Sequence, residues 1–222
     1  VVAHPDDEVL GIGGTLARHA SEGDTVHVSI LSDGVTSRYE DPESEDATSE
    51  IERRRRRAQT AVDHLGVDAL SLNDYPDNEF DTVPLLDLVQ TVEASIEEIN
   101  PEVVYTHHHG DLNVDHELTC RAVLTATRPL SDSGVRRVLG AETLSSTEWA
   151  APEPGNAFQP HVFRDISSTL DEKLDALEVY ENELREPPHP RTVETVRQNA
   201  EVWGAKAGVA AAEPFVLLRE VS

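Results

Sequence analysis

The 222-residue chain carries 43 acidic residues against 18 basic ones, a formal charge of −25, with one cysteine and no methionine. That charge excludes nucleic acid and anionic membrane surfaces as partners, and the single Cys120 excludes an internal disulfide framework or a cysteine-rich zinc site. No apolar run approaches the roughly 20 residues of a membrane-spanning helix.

The elements alternate between short apolar strands and amphipathic helices. A strand end at 1–3 leads to a helix over 9–23, stopped by Gly23, then a β-rich run over 25–32. Residues 32–50 are acidic and turn-rich and read as a loop, of which 35–50 is expected to shape the mouth of a pocket. A helix over 51–66, a strand over 68–73, a loop over 74–82 and a helix over 83–100 follow, the last ended by Pro101. The five arginines Arg53 to Arg57 read as a solvated helix with one or two turned inward. A strand over 102–107 runs into His107, His108 and His109, and a helix spans 115–129. Strands over 135–144 and 158–166, a helix over 167–184, a long Ala-rich helix after 186–191 and a strand over 215–221 complete the chain.

This alternation predicts an α/β fold with a parallel sheet covered on both faces. The length suits one domain over 1–222. Apolar periodicity argues against disorder despite the charge. With only Lys173 and Lys206 as lysines, the acid excess predicts a halophilic protein that folds in high salt, where a Debye length of about 3 Å at 1 M screens the surface. A soluble, cytoplasmic protein is expected, and the lack of methionine predicts a natural start a few residues upstream.

Two clusters carry chemistry, each directly after a strand, where parallel α/β folds bind ligands. The first is His4-Pro5-Asp6-Asp7-Glu8. His and Asp suit a zinc-like ion with a position left open for water, and a further carboxylate beside that water can take its proton. The second is 106–117, with four histidines, two aspartates, Asn113 and Glu117. It can supply a third ligand, and because side chains alternate along a strand, some of His107 to His109 serve as polar lining. Gly11, Gly13 and Gly14 do not form a nucleotide loop, because position 16 is Leu. Close approach of helix and sheet is the better reading for them.

Together the clusters resemble the PIG-L/LmbE family of metal-dependent deacetylases, which act on N-acetylglucosamine-type groups. Ala3 to Glu8 match its first signature and Asn113-Val114-Asp115-His116 its second. SDG at 32–34, LG at 65–66, PDN at 76–78, SSTEW at 145–149, KLDALEVYE at 173–181, HPR at 189–191 and GVAAAEPF at 208–215 extend the likeness over nearly the whole chain. The resemblance implies a single-domain, Rossmann-like three-layer sandwich with a mostly parallel sheet. It implies a Zn²⁺ ion, or another divalent metal, on His4, Asp7 and His116, with a metal-bound water as nucleophile. Asp6 is implied to be the general base, and Asp115 to orient a histidine. Arg54 and Asp77 are implied to hold the sugar, and His108 is expected to line the substrate pocket with them.

Two positions depart from the family pattern. Asn113 stands where many members have a histidine, and an amide donates a hydrogen bond but no proton at neutral pH. Protonated Asp6 is therefore expected to protonate the leaving amine as well. Arg57 stands where a glutamate is common, which alters the ion pairing around Arg54. The expected partner is a small N-acetyl sugar or glycoconjugate, and self-association is a possibility that the resemblance carries. The rival readings are an amidase with the same metal core acting on a larger amide conjugate, and a metal-binding sensor without turnover.

Overall fold

The computed structural model describes residues 1–129 and 134–222. Residues 1–3 lie between two strands rather than ending one. Val2 N donates to Ser29 O at 2.9 Å and Ser32 N to Ala3 O at 2.8 Å, while the Val1 amine reaches Tyr105 O at 2.8 Å on the other side. The first helix, α1 (Asp7–Glu22), then starts at once and ends on Gly23 in the left-handed conformation.

Strand β1 (His27–Ser32) pairs in parallel with β2 (Ala69–Tyr75) across helix α2 (Glu45–His64). Helix α3 (Leu85–Ile99) leads to β3 (Val103–His107), and α4 (Val114–Ala126) to β4 (Arg137–Ala141), which is parallel to β3. Strand β5 (Val162–Asp165), helices α5 (Leu170–Glu178) and α6 (Val193–Ala207) and strand β6 (Ala212–Glu220) close the chain. Strand β6 runs antiparallel to both β4 and β5. The sheet expected to be mostly parallel is so for β1 to β4, and the last two strands add an antiparallel edge.

Alternation along each strand produces the layers. Val28, Ile30, Tyr105 and Leu139 face one apolar cluster, built with α1, α2, α5 and α6. Their neighbours Leu31, Val104 and Val138 face a second, built with α3 and α4. Helix α1 reaches the sheet through its glycines: a Cβ on Gly14 would lie 2.7 Å from Ile166 Cδ1. At the same level Lys173 and Glu213, 3 % and 2 % exposed, enter the helix ladder. Lys173 Nζ donates to Leu10 O at 2.9 Å and pairs with Glu213 at 2.6 Å, and Glu213 accepts Gly14 N at 3.0 Å and Thr15 N at 2.7 Å.

Two expected boundaries move. Helix α2 starts inside the expected acidic loop, because the Ser44 side chain accepts Ala47 N and Glu45 and Asp46 suit a helix N-terminus. Helix α5 stops at Glu178, short of the expected 184. Among Arg53 to Arg57 only Arg54 is buried, and the others pair with acids at or near the surface, as with Arg53–Glu50 at 2.5 Å.

Candidate metal centre

Four loops leave the carboxyl ends of the parallel strands and meet around residues 4–7. They follow β1 (33–38), β2 (76–80), β3 (108–116) and β4 (142–149). At their centre, His4 Nδ1, Asp7 Oδ2 and His116 Nε2 form a triangle with edges of 3.1, 3.2 and 3.2 Å. Three donors about 2.0–2.1 Å from a shared ion are about 3.3 Å apart in tetrahedral geometry, so the triangle has the size a metal requires.

The two histidines are oriented to offer lone pairs. His4 Nε2 meets Asp115 Oδ2 at 2.9 Å, which places its proton there and frees Nδ1. His116 Nδ1 lies 3.1 Å from Asp111 Oδ1, an ion-pair distance that is not a formed hydrogen bond, and Nε2 points to the triangle. Asp115 is itself fixed, accepting Asn78 N at 2.7 Å and Phe80 N at 3.0 Å. Asp7 Oδ1 is buried with no partner among the described residues. A buried carboxylate oxygen left over on a three-donor face, with His4 held in the ligating tautomer, fits a divalent cation.

Electrostatics lead to the same conclusion. Burial opposes charge on His4, yet Asp115 and Asp7 raise it to about 10, and Asp7 and Asp111 raise His116 to about 9 against its own burial. A pocket that draws positive charge this strongly is matched to a cation. His107, by contrast, is pushed well below its usual value by burial. Its Nε2 accepts Ala3 N at 2.9 Å and its ring stacks on His116 at 3.8 Å, so it is a neutral support for a ligand.

Asp6 contributes no atom to the triangle. Its backbone takes φ 118°, a left-handed conformation in a non-glycine residue, and its carboxylate meets Arg191 Nη1 at 2.9 Å. Burial raises its pKa and Arg191 opposes that rise. Asn113 caps α4: its Oδ1 accepts Asp115 N at 2.8 Å and its Nδ2 donates to Asn78 Oδ1 at 2.9 Å, its other amide hydrogen having no bond among the described residues. Asp77 is buried, accepts the Ser37 hydroxyl and lies 3.5 Å from His4 Nε2.

Two residues expected to contact the sugar are held by partners within the protein. Arg54 is 2 % exposed; it donates to Pro5 O at 2.9 Å and pairs with Glu183, so it braces the HPDDE turn. Gly34 makes room for it, since a Cβ there would lie 2.6 Å from Pro5 Cδ and 3.1 Å from Arg54 Nε. His108 is fully buried, and its ring meets Asn156 O at 2.8 Å and Phe158 rather than any of the three ligands. The alternation along β3 that sends Thr106 and His108 one way brings His107 to the centre. Asp111, Arg191 and Glu183 were not assigned from sequence. Asp111 sits at the head of the DLNVDH stretch and Arg191 within HPR, so motif position held the signal for both.

Glu183 also accepts from Arg38 at 2.9 and 3.0 Å. Burial opposes its charge, but the two arginines lower it from 4.5 to about 2. The native pKa lies below the unfolded one, so this stabilisation is full above pH 4.5 and is lost as pH falls toward about 2. Glu183→Gln is expected to flatten the acid limb of the stability curve, measured by chemical denaturation across that range. An unchanged limb would assign acid unfolding to other groups.

A cavity of about 440 Å³ lies at the opposite, amino-terminal ends of β1 and β3, and His4, Asp7 and His116 do not line it.

The family model described as "PIG-L: GlcNAc-PI de-N-acetylase" matches residues 1–127, which include His4, Asp6, Asp7 and His116. The chain belongs to the PIG-L family. One PIG-L relative, the 4-oxalmesaconate hydratase of Pseudomonas putida, is 30 % identical over 80 % of this chain and 70 % of its own length. Another, a probable N-acetyl-alpha-D-glucosaminyl L-malate deacetylase of Bacillus cereus, is 27 % identical over 80 % of this chain and 79 % of its own. The fold is shared with the N,N'-diacetylchitobiose deacetylase of Pyrococcus horikoshii, at a TM-score of 0.77 and 20 % identity over 98 % of this chain and 82 % of that one. As in that likeness, the fold is mixed α/β. No helix among the described residues is long and apolar enough to cross a membrane.

Proposed function

We propose that the protein removes the acetyl group from an N-acetylglucosamine-type sugar or glycoconjugate, with a divalent metal, zinc in this reading, held by His4, Asp7 and His116. The observation that carries this is the division of labour within one four-residue turn: His4 and Asp7 join the 3.1–3.2 Å triangle, while Asp6 between them meets Arg191. An ion held there would acidify a water and polarise the acetamide carbonyl. Asp6 takes the proton of the attacking water and returns it to the amine nitrogen as the C–N bond breaks, releasing acetate and a free amine. The other hydrogen of Asn113 Nδ2 is offered to the oxyanion that develops on the carbonyl oxygen. Asp115 and Asp111 keep the two imidazoles aimed, and Arg191 holds Asp6 in place. Asp77 is assigned to the sugar hydroxyls, and Arg54 is assigned to bracing Asp6.

The likeness to the Bacillus cereus deacetylase supports this reading. The 30 % identity to a hydratase favours a second one, addition of water to an unsaturated carboxylate by the same ion and the same Asp6. An acetate-release screen over N-acetyl sugars and their conjugates, in high salt with and without chelator, tests the first. Loss of ultraviolet absorbance from conjugated unsaturated acids tests the second. Chelator-sensitive acetate release supports deacetylation, and its absence across the screen overturns it. His116→Ala is expected to lower the bound metal from about one ion per chain to nearly none by elemental analysis, and full retention would remove His116 from the ligand set.

A further inference from the structure

Trp149 stands half out of the protein at 52 % exposure, yet the turn that carries it is tied on both sides. Ser146 Oγ and Thr147 Oγ1 both donate to Asp111, the second at 2.5 Å, and Thr147 Oγ1 accepts Thr143 N at 2.8 Å. Glu148 accepts Ser145 N at 2.7 Å, and Arg191 Nε reaches Ser145 Oγ at 2.7 Å. Ser145 is held at φ 65°, a left-handed conformation that such a web of bonds over-determines. The two anchors of the turn are thus the acid that faces His116 and the arginine that holds Asp6.

Trp149 is half exposed and is not packed into either apolar cluster. Its only ring contact among the described residues is an edge contact with His189, at 5.7 Å and 85°. Leu112, 59 % exposed, directly follows Asp111 on the neighbouring loop, so an apolar edge borders the centre there. Beside it, Asn113 and Asn78 present their amide pair. An exposed indole on a turn tied to Asp111 and Arg191 suits a sugar ring, whose C–H face is weakly positive and matches the negative face of an aromatic. A tied loop also keeps the indole in position without an ordering cost on binding.

We propose that Trp149 is a specificity-determining residue that receives the C–H face of the substrate's pyranose ring, an assignment that rests on the deacetylase reading. In metal-loaded protein, Trp149→Ala is expected to raise KM for N-acetylglucosamine about tenfold while kcat stays within about threefold. Trp149→Phe is expected to recover most of the loss. N-acetylethanolamine, which has the acetamide but no ring, is expected to show no KM change in either variant. Trp203→Phe leaves Trp149 as the sole tryptophan, and glucosamine is expected to change its emission saturably. An unchanged KM in Trp149→Ala, an equal loss on the ringless amide, or no emission change with glucosamine would each overturn the assignment. If the wild type releases no acetate from any N-acetyl sugar, the deacetylase reading fails by itself, and the glucosamine titration still decides whether Trp149 binds the ring.

Discussion

Asp6→Asn is expected to keep its divalent ion while kcat for acetate release falls about 10²–10⁴-fold, the usual contribution of a positioned general base. The asparagine retains the size of the side chain and tolerates the left-handed backbone at this position, φ 118°. It leaves the triangle of His4, Asp7 and His116 untouched, because Asp6 contributes no atom to it. What it removes is the ability to accept a proton. Since Asn113 cannot donate one at neutral pH, no second residue in the named set replaces Asp6 in either transfer. Elemental analysis and kcat measured on the same sample separate the two effects. A normal kcat would refute the base assignment, and loss of metal would mean that Asp6 belongs with the ligands.

Lys173→Ala is expected to lower the unfolding free energy by about 3–5 kcal/mol, because it strands a buried carboxylate. Glu213 is 2 % exposed, and its remaining bonds, to Gly14 N and Thr15 N, do not balance its charge. The loss should persist at high salt, since a pair shielded from water is screened much less than the acidic surface. Lys173→Met combined with Glu213→Gln is expected to recover much of it, because the amide oxygen can still accept one of the two backbone donors while no charge is left buried. Denaturant titrations of the single and double variants measure both quantities. A single variant within about 1 kcal/mol of wild type would show that Glu213 protonates or reaches solvent.

Periodicity made the layers legible from the sequence, because each strand alternates Val, Ile or Leu between two helical faces. The candidate triangle of His4, Asp7 and His116 was legible because HPDDE and NVDH each sit at a strand-to-helix junction. The sheet direction at the far edge was not: nothing local in 212–220 states that β6 turns back against β4. The start of α2 was missed because the acidic residues around Ser44 look like a solvated loop until the serine is seen capping a helix. The partner of Arg54 was not legible, because an arginine facing a carboxylate and one facing a sugar look alike in sequence. That partner, Glu183, is 129 residues away along the chain. The place of His107 was not legible either, since alternation could say that not all three histidines point one way but not which one stacks on His116.

The left-handed backbone at Asp6 also limits how this site can be altered by mutation. Glycine and asparagine adopt that conformation most readily, and neither carries a carboxylate. Replacement by glutamate would need the same unfavourable conformation with a longer reach. Retuning the base by one substitution at position 6 is therefore closed to this chain. Changes in its strength or direction have to come from the surroundings, above all from Arg191 and the brace formed by Arg54. Selection for altered activity in this scaffold is expected to accumulate changes at 191 and 54 before any at 6.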